Sequence, residues 1–268
     1  MKTLRTRRPA VAGSFYPAEP EVLRRAVEGE LQRAAGSAGT GPDPVAVVVP
    51  HAGYRYSGPV AASAYARLLP WQGRTRRVVL LGSAHHSPAT AVAVTGADAF
   101  ETPLGLASVD REVREELVTA GLAVDDEAHA TEHSVEVQLP FLQVTLGSVP
   151  IVPLVVGTAP APAVAAVLDA VWSRPETLVV VSTDLSHYHD LETAQRIDRR
   201  TADAAVGKRP DAIGADDACG AFALRGLLVA ARRRGLDVQL LDLRTSADTA
   251  GTPDSVVGYA AFALYPPG

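Results

Sequence analysis

Residues 45–51 read VAVVVPH, five aliphatic side chains stopped by a proline and a histidine. A run this short and this continuous suits a strand covered on both faces, as in a parallel sheet, rather than a strand with one wet side. The pattern returns in RRVVLLGSAH at 76–85 and TLVVVSTDLSH at 177–187, each closing on a histidine. As parallel strands of one sheet, the three runs bring their carboxyl ends to a single edge. His51, His85 and His187 then converge there, where open α/β sheets bind ligands.

The remaining chain supplies cover for such a sheet. Residues 19–35, EPEVLRRAVEGELQRAA, place Val22, Leu23, Ala26, Val27 and Leu31 on one helical stripe, and GSAGTGPDP breaks that helix. AGYRYSG reads as a loop ahead of a helix in PVAASAYARLL. AVAVTGADAFETPLG reads as a hairpin or meander, DREVREELVTAG as an amphipathic helix, and a further helical stretch begins near Glu132. Strand VPIVPLVVG, helix APAVAAVLDAVW, a polar helix from Leu191 to Val206, a helix through FALRGLLVAARRRG and strands DVQLLDLR and SVVGYAAFALY complete the alternation. The expectation is one α/β domain over residues 1–268, with a mixed, largely parallel central sheet flanked by helices. No internal repeat or interdomain linker interrupts it.

Composition narrows the function classes. With 268 residues and 47% hydrophobic content the chain can bury a large core. A formal charge of −5 argues against a nucleic-acid partner, and the basic start MKTLRTRRP reads as a short solvated segment. No apolar run is long enough to cross a bilayer and no signal-peptide core is present, so a cytoplasmic protein without a membrane partner is expected. The single cysteine, Cys219, excludes an internal disulfide.

Several residues have side chains suited to chemistry. His51 follows a buried strand and precedes Gly53 and Gly58, where backbone can turn or approach a ligand; a strand-end histidine satisfied by a carbonyl is the plainer alternative. Of the neighbours His85 and His86, only one can face the same site, and His85 is taken, leaving His86 to supporting or core packing. Asp184 precedes His187 by three residues, a spacing that lets a carboxylate orient or charge-stabilise an imidazole if a helical turn begins there; Asp184 also suits a helix cap. His189 is expected to be exposed. Cys219 lies near the start of a helix, where the dipole favours thiolate, although a lone cysteine also serves as a small core residue. In EHSVEVQLP, Glu132 and Glu136 are a turn apart: they line the same cavity or belong to a solvated helix face, with Glu132 read as solvated and His133 open to either. No HExxH, GxSxG, Walker or GxGxxG pattern occurs.

Nine segments in order, RRPAVAGSFYP, VVPHAGYRYSGPVAA, LLGSAHHSP, ETPLG, EHSVEVQLPFL, IVPLVVG, VVSTDLSHY, ACGAFAL and SVVGYAAFAL, resemble the Memo family, whose prokaryotic members are also called AmmeMemoRadiSam system protein B. The resemblance covers nearly the whole chain. It implies a fold similar to class III extradiol dioxygenases, the non-haem iron enzymes that open catechol rings with O₂. By position it implies metal ligands at His51, His85 and Cys219, an acid–base histidine at His187 and its adjacent carboxylate at Asp184. The resemblance to iron dioxygenases makes Fe(II) the leading ion; Cys219 stands where those enzymes use a carboxylate, and its softer thiolate brings in Cu or Zn as the others.

Two functions are therefore expected to compete. One is a non-haem iron redox enzyme acting with O₂ on a catecholic or otherwise chelating small molecule. The other is a binding or metal-handling protein that reuses the pocket for a peptide or protein partner, as the resemblance implies for some signalling members. The prokaryotic family name also implies work alongside AMMECR-type and radical-SAM proteins.

Overall fold

In the computed structural model, residues 4–36 and 43–268 are described. The GSAGTGPDP break lies mostly outside them, as do the first three residues of the basic start. The first strands are β1 (Thr6–Arg7), β2 (Ala46–Val49), β3 (Arg77–Ser83), β4 (Val92–Val94), β5 (Ala99–Thr102), β6 (Gly105–Ser108) and β7 (Ala123–Val124). The rest are β8 (Ile151–Val156), β9 (Thr177–Ser182), β10 (His187–His189), β11 (Asp237–Thr245) and β12 (Val256–Tyr265). Helices are α1 (Pro20–Ala35), α2 (Tyr54–Tyr65), α3 (Arg111–Thr119), α4 (Asp126–Ala130), α5 (His133–Glu136), α6 (Leu139–Leu146), α7 (Ala161–Trp172), α8 (Leu191–Val206) and α9 (Ala221–Arg233).

The three histidine-ended runs are strands of one sheet, in the parallel order β2, β9, β3, with β8 parallel beyond β3. Antiparallel strands flank this centre: β12 joins β2, β10 and β11 pair with β12, and β4 pairs with β8. The mixed sheet is thus nine-stranded among the described residues, and β1, β5 and β6 form a small second sheet. The expected hairpin is β5–β6, whereas β4 leaves it for the main sheet.

Alternation along each central strand divides the core in two. Val47, Val49, Val78, Leu80, Leu178 and Val180 face α1, α2 and α6, where Leu23, Val27, Val60 and Phe141 pack. Ala46, Val48, Val79, Leu81, Val179 and Val181 face α7, α8 and α9, with Leu168, Ala202 and Leu227. Both sides are apolar, which is why these strands carry no polar alternation. Segment 54–58, expected as loop, instead opens α2, because the Tyr54 N–H finds an outside acceptor in the Phe15 carbonyl at 2.7 Å.

Gly258 on β12 holds the third histidine's loop in place. Its carbonyl accepts from Leu185 N–H and its N–H donates to Ser186 C=O, both at 2.8 Å, while the buried Asp198 carboxylate from α8 fills the space a Cβ would need and accepts from Ser186 N–H at 3.0 Å. Gly258→Ala should overpack this junction and cost about 1–3 kcal/mol of unfolding free energy. Denaturant midpoints equal to wild type would show that the junction yields freely.

Candidate metal centre

His51 emerges from β2 through Pro50 and is buried. Its backbone N–H, with that of Ala52, donates to Asp184 Oδ1 at 2.7 and 3.3 Å, so the Asp184 carboxylate clamps the turn after β2 to the turn after β9. The ring Nδ1 lies 2.9 Å from Ser182 Oγ, and Nε2 lies 3.2 Å from Cys219 Sγ. Burial, then the neighbouring imidazoles His85 and His133, holds the His51 pKa well below its ordinary value.

His85 leaves the end of β3 toward solvent. Its backbone N–H donates to Glu132 Oε2 at 2.7 Å and its ring Nδ1 to Glu132 Oε1 at 2.9 Å. Nε2 is thereby turned into the pocket, the carboxylate–histidine arrangement common around bound metals. Burial pulls the His85 pKa down, but hydrogen bonds with Cys219 and Glu132 outweigh it and raise it to about 10; a bound cation would displace that proton. Glu132, despite its own burial, is held well below the usual carboxylate range, chiefly by the hydrogen bond and charge of His85.

Glu132 corrects the sequence expectation, because its side chain is only 1% exposed rather than solvated. Besides His85 it accepts from Ser134 N–H at 2.8 Å, capping the short turn that presents His133. That turn lies directly on the end of β3: a Cβ at Gly82 would collide with Ser134 and Val135. The His133 ring centroid comes 4.6 Å from that of His85 and 5.3 Å from that of His51, and burial first, then His85, lowers its pKa to about 4. His51, His85 and His133 each offer a donor atom within 4.8 Å of the others, enough to hold a metal ion. Imidazole donors suit Zn, Cu, Fe and Ni.

Glu136, the second carboxylate of EHSVE, serves the architecture rather than the pocket. Fully buried, it pairs with Arg7 and accepts from Ala10 N–H at 2.8 Å, Val11 N–H at 3.0 Å and Tyr16 O–H at 2.6 Å. The N-terminal arm is folded back by these bonds, and Phe15 comes to rest 4.9 Å from His133, ring centre to ring centre.

Cys219 sits two residues before α9, as expected, with Gly220 between them. Asp184 N–H donates to its sulfur at 3.2 Å. His187 also reaches the cavity, a solvent-open space of about 840 Å³ walled in addition by Phe15, Tyr56, Tyr188 and Tyr259. The expected support from Asp184 takes a different form. No helical turn begins at Asp184, the carboxylate is spent on the His51 and Ala52 amides, and His187 Nδ1 donates instead to Leu185 C=O at 2.8 Å. Burial raises the Asp184 pKa, opposed first by the hydrogen bond from the His51 amide. His86 is exposed rather than packed in the core, and His189 is exposed as expected.

The family described as Memo-like protein matches residues 7–263. The chain belongs to the Memo family. Similar proteins include MEMO1 family proteins of Methanopyrus kandleri, 37% identical across 95% of this chain and 97% of that protein, and of Pyrobaculum arsenaticum, 35% identical across 98% and 100%. A third, from Metallosphaera sedula, is 34% identical across 95% and 98%. The resemblance read from nine segments is thus borne out for family, and the mixed sheet between helix layers is compatible with the dioxygenase-like fold of Memo proteins. Among the described residues no helix is long and apolar enough to cross a membrane.

Proposed function

We propose that this Memo-family chain is a metal-dependent redox enzyme that acts with O₂ on a small catecholic or otherwise chelating substrate. The observation that carries this reading is the convergence of His51, His85 and His133 beside the Cys219 thiol at the floor of an open cavity. His51 and His85 are common to the three-histidine cluster and to the set that includes Cys219. Cys219 completes that set, and His133 stands as a further nitrogen alongside. Iron bound there would supply one-electron chemistry with O₂, and copper and zinc are the competing ions that imidazole and thiolate also suit.

The chain's own contribution is proton handling and orientation. The Leu185 carbonyl can only accept, so His187 Nδ1 carries the ring proton and Nε2 keeps its lone pair, ready to take a proton from a substrate hydroxyl. Asp184 fixes the two loops that carry His51 and His187, and the aromatic wall of Phe15, Tyr56 and Tyr259 offers flat apolar surface to a ring. His187→Gln should lower turnover ~10²–10⁴-fold while leaving metal content unchanged. Loss of metal in that variant would contradict the base role. Iron loaded without oxygen should give a protein that consumes O₂ when offered a panel of catechols. Stoichiometric metal with no consumption on any of them would overturn the enzyme reading in favour of a binding role.

A further inference from the structure

We propose that Gln138 and Ser182 form a buried relay that holds His51 as the Nδ1–H tautomer, so that its Nε2 lone pair faces the metal centre. The inference extends the proposed metal function to residues outside the pocket, and it follows from the donors and acceptors around Gln138 and Ser182 on the Nδ1 side of the ring. Tyr65 O–H donates to Gln138 Oε1 at 2.9 Å, and the Gln138 amide nitrogen lies 2.9 Å from the Pro50 carbonyl, which can only accept. Both contacts fix the same orientation of the amide. Its second N–H is then directed at Ser182 Oγ, 2.8 Å away.

Ser182 has one proton to give. Its Oγ lies 2.7 Å from the Ser134 carbonyl, again an obligate acceptor, so the hydroxyl proton is committed there. With that proton spent and the Gln138 amide donating to it, Ser182 Oγ can meet the His51 ring at 2.9 Å only as an acceptor. The proton therefore sits on His51 Nδ1. Moving it to Nε2 would require Ser182 to turn its proton onto the ring and leave two oxygen lone pairs facing each other across the Ser134 contact. Gln138 and Ser182 are both fully buried, so no solvent is at hand to relieve the mismatch.

An unconstrained neutral histidine side chain prefers its proton on Nε2, the nitrogen that here faces the donors of the metal centre. The relay reverses that preference before any metal arrives. Ser182 and Gln138 are positioning residues: they touch neither ion nor substrate and act through the His51 ring. Removing such an outer partner typically weakens metal binding ~10–100-fold.

The test is nitrogen-15 NMR of the histidine rings in the metal-free protein, paired with zinc affinity by chelator competition for wild type and Ser182→Ala. Wild-type His51 should show a protonated Nδ1 and a bare Nε2; Ser182→Ala should shift the proton toward Nε2 and bind zinc ~10–100-fold more weakly. A wild-type ring protonated on Nε2 overturns the relay whether or not the variant folds. An unchanged tautomer in a folded Ser182→Ala protein overturns the role of Ser182. Should wild type fail to bind zinc, iron or copper, the proposed function falls, while the NMR result decides the relay separately.

Discussion

His51→Ala is expected to abolish stoichiometric metal binding, and His85→Ala to do the same. The two imidazoles stand between His133 on one side and Cys219 on the other, so losing either removes a donor common to the three-nitrogen cluster and to the set that includes the sulfur. The affinity loss should exceed the ~10–100-fold typical of removing an outer partner, because a donor rather than its support is removed. Metal analysis of protein purified without oxygen reads this directly. The same measurement ranks the remaining donors: Cys219→Ser should weaken binding of soft ions such as Cu(I) more than His133→Ala does. Full affinity in Cys219→Ser with none in His133→Ala would replace the sulfur by the third nitrogen. Metal retained at full affinity in His51→Ala would remove the centre altogether.

Glu136→Ala should destabilise the fold by about 3–5 kcal/mol, the range for stripping one partner from a buried ion pair. The Arg7 and Glu136 side chains are 6% and 0% exposed, so solvent cannot take over from the lost carboxylate. Two backbone amides and the Tyr16 hydroxyl lose their acceptor at the same time. Arg7→Ala is expected to cost less, since Glu136 keeps those three donors. Urea unfolding of the two variants against wild type gives the comparison. A change below about 1 kcal/mol for Glu136→Ala would place the pair in the weak class of surface bridges.

The central sheet was readable because three apolar runs of similar length each end in histidine, and burial on both faces leaves no other use for such runs. His51 and Cys219 reach the same point as expected, 3.2 Å apart, although 168 positions separate them. His187 reaches the same cavity, but with a backbone carbonyl rather than Asp184 orienting its ring. Glu132 was misread because a carboxylate beside other polar residues resembles a solvated helix face, and periodicity carries no information about a partner 47 positions away. His133 could be named but not assigned, since its direction depends on how α5 seats on Gly82 at the end of β3. The antiparallel flanks were equally hidden. Pairing direction at β12 and β4 is set by where their connections lead, not by the strands' own composition.

The donors come from four distant parts of the chain, and one wall of the pocket comes from β12, its last strand. No one of these segments carries the whole donor set by itself. Only the finished tertiary arrangement gathers the atoms, so any ion held there reports on the whole molecule and in turn stabilises it by mass action. Ion release and loosening of the sheet edge would be one equilibrium viewed from opposite ends.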